Sequence, residues 1–181
     1  MNKYIFRQPK LSDLNAVYKW VKEIEIEDTF VMMNAKEPLT KKEVKDFINE
    51  QFKKAKQKKV VKIGVFNGKK YLGGCDITKL AKRQGHIGLL GIVLSKECRG
   101  QGIGLTISKE TIRLAKEKLG IKQVILGCFA NNKIGINLYE RLGFKQYGLL
   151  PNAVLFKGNY IDEILFYKDL FFKVFNIFNI K

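Results

Sequence analysis

The chain has 181 residues, 46% hydrophobic and 28% charged, a balance that suits one packed domain and excludes intrinsic disorder and fibrous repeats. No run approaches the ~18 consecutive apolar residues that cross a bilayer, and Met1-Asn2-Lys3-Tyr4 does not lead into the apolar stretch of a signal peptide, so a cytoplasmic location is expected. Thirty-four basic against 17 acidic side chains leave +17 at pH 7, which favours polyanions of any kind (nucleic acid, an acidic protein, a membrane surface, a phosphorylated cofactor) without choosing among them.

Tyr4-Ile5-Phe6-Arg7 reads as a short strand ending at Pro9. Ser12-Asp13 offers N-cap chemistry to a helix whose apolar residues Leu14, Val17, Trp20, Val21 and Ile24 recur at helical spacing. Thr40-Lys41-Lys42-Glu43 is a capping box for a second helix with Val44, Phe47, Ile48 and Phe52 on one face. Its end, Lys53 to Lys59, reads either as a solvated helix terminus or as a basic contact for a polyanion. Two β runs, 60–66 and 70–77, flank Asn67-Gly68, a strong hairpin signal. A third run, 86–94, contains Gly88 and Gly91, which suggest a bulge or a close backbone approach. A helix follows the glycine-rich turn at 100–104 and ends near Gly120. Then come a buried strand over 123–129, a helix over 132–142 stopped by Gly143, and strands near 144–149 and 160–167. The order is that of a mixed α/β domain without repeats or linkers.

Three dispersed cysteines, Cys75, Cys98 and Cys128, and a single histidine, His86, lack the close ligand pairs of a structural zinc site, so the thiols are expected to be buried and no metal is expected. Arg99-Gly100-Gln101-Gly102-Ile103-Gly104 lies between a strand and a helix. Glycines at every second position can aim free N–H groups and a helix N-terminus at one anion, although a ligand-free turn fits this segment equally. The dinucleotide pattern G-x-G-x-x-G fails because Leu105 and Ile107 stand where its third glycine would be, and no G-x-x-x-x-G-K-[ST] occurs.

These residues carry a resemblance. Arg99 to Gly104 match the R/Q-x-x-G-x-G/A signature of the GNAT superfamily of N-acetyltransferases, and Asn132 to Phe144 are similar to its second signature, N-x-x-A-x-x-L-Y-x-x-x-G-F, with Gly135 in place of the usual alanine. The resemblance spans roughly residues 3–170 and implies a GNAT domain over 1–169 with an aromatic extension over 170–181. It implies a mixed, mostly antiparallel sheet flanked by helices, in which parallel strands 4 and 5, here 86–94 and 122–129, splay apart around acetyl-CoA. Backbone groups of Ile92, Val93 and Leu94 would then meet the pantetheine, and Arg99, Gly100, Gln101, Gly102, Ile103 and Gly104 the pyrophosphate. Asn132 would bond the pantetheine, Gly135 would let it pass, and Tyr139 would protonate the departing thiolate; Tyr139 could instead simply pack its helix on the sheet. Asn132, Gly135, Ile136 and Tyr139 share one helical face, leaving Ile134, Leu138 and Leu142 for the core.

The sequence also departs from the GNAT pattern. Where the family often places a glutamate base, Leu89 and Gly127 stand, and His86 is the remaining candidate. Glu23, Glu25, Glu27 and Asp28 fall in the acceptor-binding region, where they would either attract a cationic amine or end a solvated helix. An acyl intermediate on Cys98 or Cys128 has no neighbouring group to support it. The aromatic tail could cover its own domain, form a dimer contact or lie on a membrane, with packing on the domain or a second copy preferred. The expected function is direct transfer of acetyl from acetyl-CoA to a primary amine (a small amine or amino acid, a protein N-terminus or a lysine). The rival is a non-catalytic basic nucleic-acid-binding module, for which no recognised motif is present.

Overall fold

A computed structural model describes residues 4–32 and 36–171, so the aromatic tail beyond Phe171 lies outside the described residues. Strand β1 (Ile5–Arg7) precedes helix α1 (Leu14–Glu27). Asp13, expected to cap α1, instead closes a bidentate pair on Arg7 (2.7 and 2.8 Å) and accepts the Lys10 N–H (2.7 Å). These bonds tie β1 to the start of α1. The capping box of α2 (Lys41–Lys56) forms as expected: Glu43 N–H donates to Thr40 Oγ1 at 3.2 Å, and Thr40 N–H donates to Glu43 Oε2 at 2.7 Å. Val44 and Ile48 are buried, whereas Phe47 is exposed beneath the Lys62 ammonium, which stands 4.9 Å from its ring.

Strands β2 (Val60–Asn67) and β3 (Lys70–Lys79) form the hairpin, with Gly68 at φ 57° in its turn. β4 (Ile87–Leu94) pairs with β3 in unbroken register from Gly73↔Leu94 to Lys79↔Gly88. The bulge expected in β4 is therefore absent, and the irregularity lies in β2 between Gly64 and Phe66. Close approach does explain Gly88, where a Cβ would stand 2.5 Å from Ile77 Cγ2.

Helix α3 (Ile103–Leu119), β5 (Gln123–Phe129), α4 (Lys133–Arg141), β6 (Lys145–Phe156) and β7 (Asn159–Asp169) complete the chain. The seven strands lie in the order β1-β2-β3-β4-β5-β7-β6, antiparallel except for β4 beside β5. β6 runs well past the expected Leu149. As the sheet's edge strand it tolerates Pro151, which lacks a ladder donor, and its register slips between Leu150 and Val154. Lys157 (φ 51°) and Gly158 (φ 81°) turn it into β7.

Two apolar layers cover the sheet. On one face α3 buries Ile103, Ile107, Ile112, Ala115 and Leu119 against Leu72, Cys75, Ile77, Leu90, Val124 and Leu126. Each fully buried isoleucine or leucine contributes about 1.5–3 kcal/mol. On the other face α1 and α2 pack Val17, Trp20, Ile24, Val44 and Ile48 on Phe66 and Tyr71. Among the described residues, no helix is long and apolar enough to cross a membrane.

Candidate active site

The β4–β5 ladder contains only Ile87↔Gln123, Gly88↔Val124 and Leu89↔Ile125, although β4 continues to Leu94 and β5 to Phe129. β3 holds β4 and β7 holds β5 along their lengths, so beyond Leu89 the two parallel strands part. Ser95, just past β4, donates its N–H to the Leu72 carbonyl on the β3 side at 2.9 Å. Backbone groups alternate along a strand, so the N–H groups of Leu94 and Ile92 point into the gap and that of Val93 points back towards β3. Val93 thus reaches the cleft by its side chain, not by the expected backbone contact.

The glycine turn borders the same cleft. Gly100 and Gly102 have φ of 71° and 76°, a backbone that glycine adopts freely, and a Cβ on either would meet nothing within 4 Å. Gly102 is the N-cap of α3 and no side chain caps that helix, so its first-turn N–H groups remain available to an anion. A Cβ on Gly104 would make only ordinary contacts, the nearest 3.5 Å from Leu138 Cδ2. Protein packing therefore does not require a glycine there.

Three residues of the turn differ from expectation. Arg99 is fully engaged: Nε donates to the Leu94 carbonyl (2.7 Å), and Nη1 and Nη2 grip the Glu27 carboxylate (2.5 and 3.1 Å). It is a strut between α1 and β4 whose charge is largely neutralised beside the cleft. Gln101 turns away, donating to the Glu97 carbonyl (2.7 Å) and accepting from the Tyr4 hydroxyl (3.1 Å), and the Ile103 side chain is in the core. Only their backbone groups remain for a ligand.

The acidic group does not assemble into an acceptor site. Glu25 is buried, paired with Lys22 (2.8 Å) and accepting the Leu39 N–H (2.7 Å), so it anchors the connection after α1. Glu27 holds Arg99, Asp28 ends α1 in the left-handed conformation (φ 46°), and Glu23 is exposed in a hollow outside the cleft. The next residues, Thr29, Phe30 and Val31, do line the cleft. Phe30 stacks on Phe156 (5.1 Å) and meets Phe129 edge-on (6.2 Å), and Phe129 contacts Phe156 (5.7 Å). This trio seats the loop after α1 against the ends of β5 and β6.

Helix α4 forms the opposite wall. Asn132 Oδ1 accepts the Gly135 N–H at 2.9 Å and so caps the helix, and a Cβ on Gly135 would lie 2.6 Å from Asn132 Nδ2. Gly135 therefore serves the cap as well as the approach of a ligand, and only Asn132 Nδ2 is left to donate outward. Tyr139 is buried among Phe144 and Phe166 yet lines the cleft. No described residue hydrogen-bonds its hydroxyl, and burial holds the phenol well above its usual pKa, so it stays protonated. The expected core face holds in part: Leu142 is buried and Leu138 packs on the core while also lining the cleft, but Ile134 is exposed, and Ile136, expected on the ligand face, packs on the core.

Of the remaining candidates, His86 is exposed where β4 and β5 are still joined, its carbonyl accepting from Lys122 and Gln123. At ~3.3 Å per residue it lies roughly 20 Å from Ile92, too far to act as a base there. All three cysteines are buried and free. Burial pushes Cys75 up to about 12 and Cys98 upwards, while burial and then the Glu163 charge push Cys128 up to about 11. These thiols stay protonated, which argues against an acyl-cysteine route. The lysine run Lys53–Lys59 begins in the last turn of α2 and ends at the closed end of the sheet, where the Lys79 N–H donates to the Lys59 carbonyl.

Residues 3–145 match the family model of the acetyltransferase (GNAT) domain. The chain belongs to the GNAT acetyltransferases. YwnH of Bacillus subtilis (strain 168), whose name assigns it provisionally to phosphinothricin acetylation, is 31% identical over 81 residues, 45% of this chain and 49% of that protein. The match thus spans about half the length of this curated relative. Ribosomal-protein-S5-alanine acetyltransferase from Vibrio fischeri superposes with a TM-score of 0.82 at 18% identity, covering 93% of this chain and 94% of that one. The yncA protein of Salmonella typhimurium, solved with its cofactor acetyl-CoA, does so with a TM-score of 0.79 at 12% identity, covering 93% and 94%. At such identities these structures speak for the fold alone.

The GNAT frame makes one missed residue visible. At Gly127, where the family often has a glutamate, a Cβ would stand 2.1 Å from Glu163 Oε1. A carboxylate does occupy that space, and it arrives from β7. A small residue inside a buried strand is a hint that something crosses it, but only the strand pairing identifies Glu163. The aromatic trio joins three separate parts of the chain and has no sequence signal at all.

Proposed function

We propose that the chain is an acetyl-CoA-dependent N-acetyltransferase that moves acetyl directly to a primary amine within a ternary complex. The observation that carries this reading is the three-pair β4–β5 ladder, whose open end lies between the uncapped glycine start of α3 and the cleft side of Tyr139. Acetyl-CoA supplies the activated thioester, and the donor set suits it: N–H groups of Ile92 and Leu94 for the pantetheine arm, Asn132 Nδ2 as a further donor, and Gly100 to Gly104 for the diphosphate. Ile92 and Leu94 can also direct an N–H at charge growing on a carbonyl oxygen, which stabilises a transition state more than a ground state. Tyr139, kept protonated by burial, gives its proton to the leaving sulfur.

Acceptors of the superposed structures include a ribosomal-protein alanine. A protein N-terminus and a small amine are therefore the two acceptor classes to test first. Acetyl-CoA is expected to raise the melting temperature by mass action, and a screen of amines and alanine-initiated peptides for coenzyme A release identifies the acceptor. No thermal shift, combined with DNA binding of steep salt dependence, would move the function to Lys53–Lys59 and away from the cleft.

A further inference from the structure

Most amines are protonated near neutral pH, so direct attack needs a group that takes a proton from the incoming ammonium. Neither Leu89 nor Gly127 can do this, and His86 lies at the wrong end of β4. Glu163 can. In the β5–β7 ladder it faces Phe129, one diagonal step from Gly127, and diagonal neighbours are within reach of a long side chain. Its Cγ, Cδ and Oε1 would lie 3.2, 2.6 and 2.1 Å from a Cβ at position 127. The carboxylate therefore rests over β5 at a residue two places beyond the last β4–β5 pair, where the two strands have parted.

The side of the sheet matters as well. Val124, Leu126 and Cys128 face the core under α3, so alternation puts Gly127 and the Glu163 carboxylate on the opposite face. Tyr139 belongs to the α3 face. A proton acceptor and a proton donor thus stand on opposite sides of one opening.

Glu163 also lacks the partner that a structural carboxylate would have. It is half-buried, yet among the described residues of a chain with 34 cationic side chains it makes no ion pair or hydrogen bond. Asp76, on the other flank of the gap opposite Gly91, is held by Lys62 at 3.7 Å. Partly buried charges are normally paired, so an unpaired carboxylate beside the point where β4 and β5 part points to a ligand cation.

We propose that Glu163 is the general base of the transfer, delivered from β7 into the space that Gly127 leaves empty. This rests on the transferase reading above. The ammonium gives one proton to the Glu163 carboxylate, and the freed lone pair forms the C–N bond at the thioester carbonyl carbon. The C–S bond breaks with its electrons on sulfur. Of the two protons the nitrogen sheds, the first leaves through Glu163 to solvent. The second balances the one that sulfur receives from Tyr139. Nothing is oxidised or reduced.

The test compares wild type with Glu163→Gln at pH 7, using an alanine-initiated peptide and hydroxylamine, which is already neutral at that pH. With the peptide, kcat is expected to fall by about 10²-fold or more, the general-base range, while KM for acetyl-CoA and the acetyl-CoA-induced thermal shift stay unchanged. Hydroxylamine transfer should fall far less. The double variant Gly127→Asp/Glu163→Ala, which returns a carboxylate to the same space from β5, should recover part of the peptide rate. Equal losses with both acceptors, or no loss with either, would overturn the assignment. If Glu163→Gln does not fold, Gly127→Ala, which displaces the carboxylate without removing it, must show the same acceptor selectivity. A wild-type chain that shows the thermal shift but transfers to neither acceptor would instead overturn the transferase reading.

Discussion

Helices α3 and α4 both begin at the rim of one cleft, and they begin in opposite ways. α3 starts from Gly102 with no capping side chain and with open space around Gly100 and Gly102. α4 starts from Asn132, whose own side chain takes the Gly135 N–H. Every helix start leaves unpaired donors. It serves as an anion site only where the chain withholds its own acceptor, so α3 is built to bind, whereas α4 is built to stand still and present Tyr139.

The largest effect that can test this division is on the rate. Tyr139→Phe removes the donor and keeps the ring contacts with Phe144 and Phe166, so kcat should fall about 10²-fold with the acetyl-CoA Kd unchanged. A change in Kd alone would give α4 the binding role assigned to α3.

Next in size is the complementary variant. Gly102→Val should raise the acetyl-CoA Kd at least tenfold, because losing one charge-assisted hydrogen bond, about 1.5–3 kcal/mol, has that effect. Valine is also strained at positive φ, so the matched control is Gly120→Val at the other end of α3, where φ is 68° and a Cβ again meets nothing within 4 Å. Both variants should lose similar stability by thermal melting, and only Gly102→Val should lose affinity by calorimetry. Equal affinities would remove the α3 start as the diphosphate site.

These variants also mark how far the sequence could be read. Local chemistry was legible: the Thr40–Glu43 box, the Asn67-Gly68 turn, the stops at Gly120 and Gly143, and the glycine turn all describe what neighbouring residues do to one another. Pairings distant in sequence were not. Nothing near Arg99 indicates that Glu27, 72 residues away, will occupy its guanidinium. Nothing near Gly127 names Glu163. The helical spacing in α4 grouped its residues, but how a nine-residue helix docks decides which of them meet the sheet, so Ile134 came out exposed and Ile136 packs on the core. Pro151 hid the second half of β6, because a residue without an N–H is compatible with a strand only at the sheet's edge.

The smallest effect is also the finest test of α4. Asn132→Ala removes the cap and should destabilise the fold by about 1 kcal/mol, a melting shift of roughly 2–4 °C for a domain of this size. Gly135→Ala alone should change stability little. Alanine favours helix by up to about 1 kcal/mol, but its Cβ would displace Asn132 Nδ2 and weaken the same cap. In the Asn132→Ala background that collision is gone, so the alanine should then stabilise. The two substitutions are therefore expected to couple by several tenths of a kcal/mol or more in a double-mutant cycle. Simple additivity would mean that Gly135 is not serving the cap and that room for the ligand alone explains it.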